Sequence, residues 1–504
     1  MLIDHPRIYL DASGFHITDA LLVRDGRIAA TGDDARHGAT PDDEVLRPDA
    51  TCLFPALGDA HVHLWGLGLR AATIDLRGMD SEQALQALRG APSGADDWVF
   101  AINLDEHNFS SDQRLSRREL DQLFPDRPVC IYRVDRHALW VNSEALRRSD
   151  FEERYVPDED GSAARGDDGE LTGYLVDGAM EPILDTIPET TIDEDRRVFF
   201  ESARRLRECG VAFCTIARSS VEHLQMLRDV ASGDELPLHI DVLVAGTDPR
   251  LDECLRFGPD PRGEPGLQVA GIKFYADGAL GSQGAHLLSP YRTGERGLRM
   301  HPPNFLKKRI PELMDWGWQI GVHAIGDAAA REVLDAFEAA NDAARNQLRP
   351  RLEHAQMLAD ADVTRLAELN TIASIQPIHL RSDVPWAPQF LHEEQLAHLY
   401  RWRDLFPAVV AAGSDYPIDD PNPWHGVATA LTRKGADGKP FHLQHRLSRA
   451  EILRAYTYGA AYASHRERLF GALRTGFAAE ICMLSTDPFE ASADELWEME
   501  ARLI

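Results

Sequence analysis

The sequence predicts an α/β protein built on a TIM-like (β/α)8 barrel. Two patterns carry that prediction. Short apolar runs alternate with helical patterns through the middle of the chain, as expected of βα units around a parallel sheet. Residue types that bind metals then close several of those runs at the same end. In a barrel, the C-terminal strand ends form the active-site face.

The elements follow in chain order. The first 55 residues read as short strands; Leu21–Val23 and Arg27–Ala30 flank Asp25-Gly26, a hairpin turn signal. Near the other end, Ala479–Leu484 is another short strand. The reading joins residues 1–56 and 426–504 in one small β unit with C-terminal helices, and leaves 57–425 for the barrel. Within 57–425 there are ten apolar runs. Eight suit barrel strands: Ala60–Leu64, Ala212–Ile216, Ile240–Ala245, Val269–Tyr275, Gln319–His323, Arg351–His354, Ile372–Gln376 and Val409–Ser414. Helical patterns include Asp195–Glu208, Ala328–Ala344, Ala361–Glu368 and Arg449–Ala463. The surplus runs, Trp98–Leu104 and Val129–Val134, fall in 69–194 with a polar, Gly-rich piece from Asp158 to Gly173. Removing 69–194 leaves roughly 240 residues, close to the usual barrel size of about 250. That segment is therefore read as an insertion after the first strand, and is expected on the metal side of the barrel, restricting access.

Composition bounds the function. The chain has 504 residues, 44% hydrophobic and 27% charged, with a formal charge of −29. Such a surface repels phosphate backbones and anionic membranes, so neither nucleic acid nor membrane is an expected partner. The six cysteines contain no C-x-x-C pair, which fits reduced thiols in a cytoplasm. No signal-peptide pattern opens the sequence, and no run of about 18 apolar residues suits a membrane span. The sequon Asn108-Phe109-Ser110 therefore carries little weight. No G-x-S-x-G elbow, Walker A loop or dinucleotide fingerprint is present.

The chemistry lies at the ends of the runs. In Ala60-His61-Val62-His63-Leu64, strand alternation puts both imidazoles on one face, where they can share a divalent metal. His323, His354 and Asp415 each close a later apolar run. One such residue alone is more often an ordinary polar strand end. Several on separate strands, all at one end, are hard to explain as packing. Lys273 sits inside Val269–Tyr275, where an amine needs a partner or must be neutral. Pairing with Asp277 is the plain reading. Beside five candidate ligands, reaction with carbon dioxide to give a metal-bridging carbamate is favoured.

These residues resemble the amidohydrolase superfamily of metal-dependent hydrolases, and within it the YtcJ-like branch, amidohydrolase family 3. The superfamily pattern of H-x-H, Lys, His, His and Asp falls on His61, His63, Lys273, His323, His354 and Asp415. The branch is suggested by longer motifs, among them Asp135–Ser143, Ala276–Ser282, His323–Asp327, Glu353–Gln356, Ser374–Pro377 and Gly413–Pro417. The resemblance implies that the β unit is a sandwich, that the insertion is a trait of the branch, and that C–N bonds are hydrolysed, including those of N-substituted formamides. Departures from the pattern are Pro55–Asp59 at the entry to the first strand, Gln283 where an Arg is usual, and Gly476–Glu480 near the C-terminus.

The expected function is metal-dependent hydrolysis of an amide, N-formyl or N-acyl bond of a small molecule. The expected cofactor is one or two divalent ions, with zinc favoured and iron, manganese or nickel also suited to these ligands. His61 and His63 would hold one ion with Asp415, and His323 and His354 the other, bridged by carbamylated Lys273. Asp415 would move the proton. Expected substrate contacts are His137, Gln283, Gln376 and His379; Asp105, Glu106, His107 and Trp386 are further candidates. The alternatives are a non-catalytic scaffold, or the same site used for deamination or ester hydrolysis. A homodimer is left open.

Overall fold

The structure is a computed structural model. It describes residues 1–65, 73–91, 97–106, 109, 115–134, 136–156, 161–233, 235–260 and 266–504. His107, Asn108 and Asp135 lie outside the described residues. The chain divides into two compact units, one of residues 1–63 with 201–504, the other of residues 64–200.

The first unit contains an eight-stranded parallel sheet. Its strands are β1 (Leu57–Val62), β2 (Val211–Ser219), β3 (His239–Ala245), β4 (Leu267–Tyr275), β5 (Gln319–Ala324), β6 (Arg351–His354), β7 (Ile372–Ile375) and β8 (Val410–Ala412). Each pairs with its neighbour in chain order. The ends of the sheet meet where the His63 amide donates to the Tyr416 carbonyl at 2.7 Å and the Asp415 amide to the His61 carbonyl at 2.8 Å. The sheet thus curls into a nearly closed TIM-like barrel. Near-continuous burial along β1 and β5 fits strands covered on both faces.

Both chain ends meet in a separate seven-stranded sheet. Its hairpin joins Ile17–Arg24 to Arg27–Thr31. Asp25 and Gly26 both have positive φ, 47° and 69°, the backbone a two-residue type I′ turn requires. Ile481–Leu484 pairs antiparallel with Cys52–Pro55, so the last strands dock beside the entry to β1. The helical pattern expected over Ala328–Ala344 is two helices, Asp327–Glu338 and Asp342–Leu348. Asn341 starts the second, its side chain accepting from the Ala344 amide, so a cap residue outweighs the unbroken periodicity.

The second unit carries its own six-stranded mixed sheet. Val99–Leu104 and Val129–Arg133 are paired there in parallel, flanked by Ile74–Asp75 and Ala138–Val141. Two apolar clusters pack on it, one around Phe151 and Leu175, the other around Leu120 and Ile131. Among the described residues no helix is long and apolar enough to cross a membrane.

Gly459 ends the helical segment Ala455–Gly459 beside β8; a Cβ there would sit 2.1 Å from the Val410 carbonyl oxygen. Backbone cannot give way as a flexible side chain can. Gly459→Ala is expected to destabilise the protein by about 1–3 kcal/mol, read as a lower midpoint in denaturant unfolding followed by circular dichroism.

Candidate metal centre at the barrel mouth

Five side chains from four strand ends converge at the C-terminal mouth. His61 is the penultimate residue of β1 and His63 follows the strand. His354 ends β6, His379 opens the short helix after β7, and Asp415 follows β8. His61, His63 and Asp415 each offer a donor atom within 4.8 Å of the others, and so do His354, His379 and Asp415. Asp415 belongs to both groups. Its Oδ1 lies 3.2 Å from His63 Nε2 and 3.4 Å from His61 Nε2; its Oδ2 lies 3.9 Å from His379 Nε2. All five are largely removed from solvent.

The backbone aims these groups at some cost. His354 and Asp415 both have positive φ, 74° and 58°. For non-glycine residues this costs on the order of 1–3 kcal/mol each, and such strain gathers at functional sites. Asp59 ties β1 to β8: it accepts from the His61 amide at 3.0 Å and from the Ser414 hydroxyl at 2.6 Å. Burial pushes the Asp59 carboxyl up to about 7, against those hydrogen bonds.

Beneath the donors runs a chain of charge. His61 Nδ1 lies 2.7 Å from Glu353 Oε2, and Arg351 Nε donates to Glu353 Oε1 at 2.7 Å. Arg351 Nη2 also donates to the Ala60 carbonyl at 2.6 Å. Arg351, Glu353 and His61 are all at 0% exposure. Burial raises the Glu353 carboxyl, but Arg351 and His61 outweigh it and hold it well below its ordinary value. Glu353 therefore stays anionic and holds the proton of His61 on Nδ1, leaving Nε2 as a lone-pair donor toward Asp415.

The donor set fits a divalent cation. His61 Nε2, His354 Nδ1, His379 Nε2 and Asp415 Oδ1 are buried without a hydrogen-bond partner among the described residues. Buried polar atoms left unpaired at one place are costly. A cation coordinated by imidazole nitrogen and carboxylate oxygen satisfies them together. Burial pushes the imidazoles down, His63 to about 4 and His354 well below its ordinary value, which keeps them neutral and able to coordinate. For Asp415, burial is opposed by His61, His63 and His354, which hold the carboxyl well below its usual range.

Lys273 points into the barrel from β4, 2% exposed, its amine without a hydrogen-bond partner among the described residues. The nitrogen lies 4.5 Å from the centre of the Tyr275 ring. Burial lowers the amine to about 8, opposed by Glu353 and Asp415. The plain pairing with Asp277 does not form. Asp277 instead accepts from the backbone amides of His286, Ile325 and Gly326 at 2.8–3.0 Å.

The other candidates separate. The His323 ring stands 4.4 Å from that of His354, edge to face. Its Nε2 lies 3.4 Å from the Gly278 carbonyl and 3.5 Å from Asp277 Oδ1, and it belongs to neither three-donor group. His379 takes that place beside His354. Gln376 is buried at the end of β7 with its Nε2 unpartnered among the described residues. Gln283 accepts from Thr293 at 2.7 Å and belongs to neither donor group. Trp386 is buried against Phe390. His137, Asp105 and Glu106 belong to the second unit, where Glu106 accepts from Arg133 at 2.9 Å. Glu353, Arg351 and Asp59 were not among the sequence candidates. The one available signal was Arg351-Leu352-Glu353-His354, two charges on one face of a strand closed by a histidine.

A family model described as "Amidohydrolase family" matches residues 51–503. The protein YtcJ of Bacillus subtilis (strain 168) is 30% identical over 512 residues, covering 96% of this chain and 94% of that one. The N-substituted formamide deformylase of Arthrobacter pascens is 24% identical, covering 95% and 92%. Among solved structures, an uncharacterized metal-dependent hydrolase from Pyrococcus horikoshii OT3 superposes with a TM-score of 0.81 at 25% identity, covering 98% and 99%.

Replacing Glu353 by Gln should remove the anion behind His61 while keeping the packing. Metal affinity is expected to fall about 10–100-fold, measured by competition with a chromogenic chelator. Glu353→Ala leaves Arg351 buried and unpaired, and should cost about 3–5 kcal/mol of stability in denaturant unfolding.

Proposed function

Because the chain belongs to the amidohydrolase family of metal-dependent hydrolases, we propose that it hydrolyses a carbon–nitrogen bond of a small molecule, an amide, N-formyl or N-acyl linkage. The observation that supports this most is the Asp415 carboxylate set between two groups of histidines, of which His61 Nε2, His354 Nδ1 and His379 Nε2 have no hydrogen-bond partner among the described residues. His61, His63 and Asp415 would hold a divalent cation, with zinc the best suited to this set. His354 and His379, with Asp415, offer donors for a second. A cation bound there supplies Lewis acidity and lowers the pKa of water from 15.7 to about 7.

The chain's own groups do the rest. Asp415 accepts the proton of the attacking water and returns it to the leaving nitrogen. Water oxygen bonds to the carbonyl carbon, the C–N bond breaks, and the amine departs with that proton. Glu353 fixes the tautomer of His61. Gln376, whose amide nitrogen has no partner among the described residues, would donate to the substrate carbonyl. The relationship to an N-substituted formamide deformylase supports the N-formyl class as the first to screen.

Lys273 is proposed to react with carbon dioxide. The amine lone pair bonds to the carbon, the displaced N–H proton passes to water, and a carbamate replaces the cation. The support is a buried amine without a polar partner beside the donor groups. A carbamate supplies an anion where clustered cations would otherwise repel.

His61→Ala should abolish both metal retention, read by elemental analysis, and turnover of N-formyl and N-acyl amines. Retained metal with no turnover of any amide would instead favour the non-catalytic scaffold. Lys273→Ala should lose activity and recover part of it with added short-chain carboxylic acids. Intact-protein mass spectra recorded at neutral pH under bicarbonate should show one added carbon dioxide, absent from the variant.

A further inference from the structure

The parallel pairing of β2 with β3 runs in register through Thr215↔Asp241 and Ile216↔Val242, then slips to Ser219↔Val244. Ala217 and Arg218 together face Leu243. This is a β-bulge, uncommon in parallel sheets and used near active sites to re-aim a side chain. Thr215 faces the barrel interior, where Arg351 Nη1 lies 3.4 Å from its hydroxyl. Strict alternation would then send Arg218 outward with Ile216. The extra residue turns it inward with Ala217, at the C-terminal end of β2.

Two further observations agree with that direction. Its charge acts on the Lys273 amine and the Tyr275 hydroxyl, both inward-facing on β4. It is also exposed, although its neighbours Ala217 and Ser219 are buried. Among the described residues no hydrogen bond or ion pair holds Arg218, and none holds the Tyr275 hydroxyl. Freedom of this kind is notable in a chain with 82 acidic residues against 53 basic ones. Elsewhere in the first unit arginines such as Arg331, Arg349 and Arg365 are paired to carboxylates. The Tyr275 ring lies 5.1 Å from that of His323, which stands 4.4 Å from the His354 ring of the second donor group.

We propose that Arg218, assisted by Tyr275, binds a carboxylate of the substrate, so that the site takes N-acylated amino acids or similar singly charged amides. The proposal rests on the C–N hydrolase reading and names its substrate class. One guanidinium matches one carboxylate in a two-bond fork. In so acidic a protein, an anionic substrate also needs a local cation to offset long-range repulsion.

The test uses the full-length, metal-loaded protein and N-formyl and N-acetyl derivatives of several apolar amino acids, each beside its neutral carboxamide. Acid release gives kcat/KM, and isothermal titration gives Kd. The carboxylate is expected to be preferred by roughly tenfold to hundredfold, the usual range for a charged hydrogen bond. Arg218→Met should bring that ratio to near one, mainly through KM; Arg218→Lys should restore part of it, and Tyr275→Phe should reduce it less. An unchanged ratio in Arg218→Met, or no binding of any carboxylate, would overturn the proposal. If carboxylates bind selectively through Arg218 but no amide is cleaved, the hydrolase reading fails and the binding proposal stands.

Discussion

The Asp415 carboxylate is the constraint on which the site depends. One oxygen faces His61 and His63, the other faces His379, so moving it would dissolve both donor groups at once. Its position is secured by features that make little sense singly. The backbone of Asp415 is left-handed. A Cβ at Gly413 would meet Asp59 Oδ1 and the His61 amide, both at 2.6 Å, so only glycine lets β8 approach β1. Asp59 then binds both strands. The junction that closes the barrel and the centre of its chemistry are one piece of structure.

Buried charge gives the site its orientation. Arg351 and Glu353 lie two residues apart on β6, both inward, and their ion pair is wholly buried. Burying such a pair rarely adds net stability, and its use here is directional. Glu353 turns the outer nitrogen of His61 toward Asp415, and Arg351 clamps the Ala60 carbonyl next to it. Loss of either group would leave the other charged in a dry interior, so the pair specifies a geometry.

Much of this was legible in the sequence. His61, His63, His354, Lys273 and Asp415 stood at, or just inside, the ends of apolar runs, and the structure brings all five to one mouth. Strand alternation and the common end of the barrel suffice for that. His379 follows its strand on a helix whose direction no periodicity gives, so the sequence suggests no more than a substrate contact. The family resemblance pairs His323 with His354, whereas the loop carrying Asp277 and Gly278 lies against its Nε2. Glu353 looked like a neighbour of a ligand, since partnership across the barrel has no signature along the chain. Arg218 was invisible for a different reason: alternation assigns it outward, and a one-residue bulge reverses the assignment.

The most direct test of the account is a metal-loaded crystal with anomalous scattering recorded at the zinc edge. The account predicts a peak at the barrel mouth, about 2.0–2.2 Å from His61 Nε2, His63 Nε2 and an Asp415 oxygen, with His61 Nδ1 still on Glu353. A zinc peak elsewhere, with His61 and Asp415 left uncoordinated in protein saturated with metal, would contradict it.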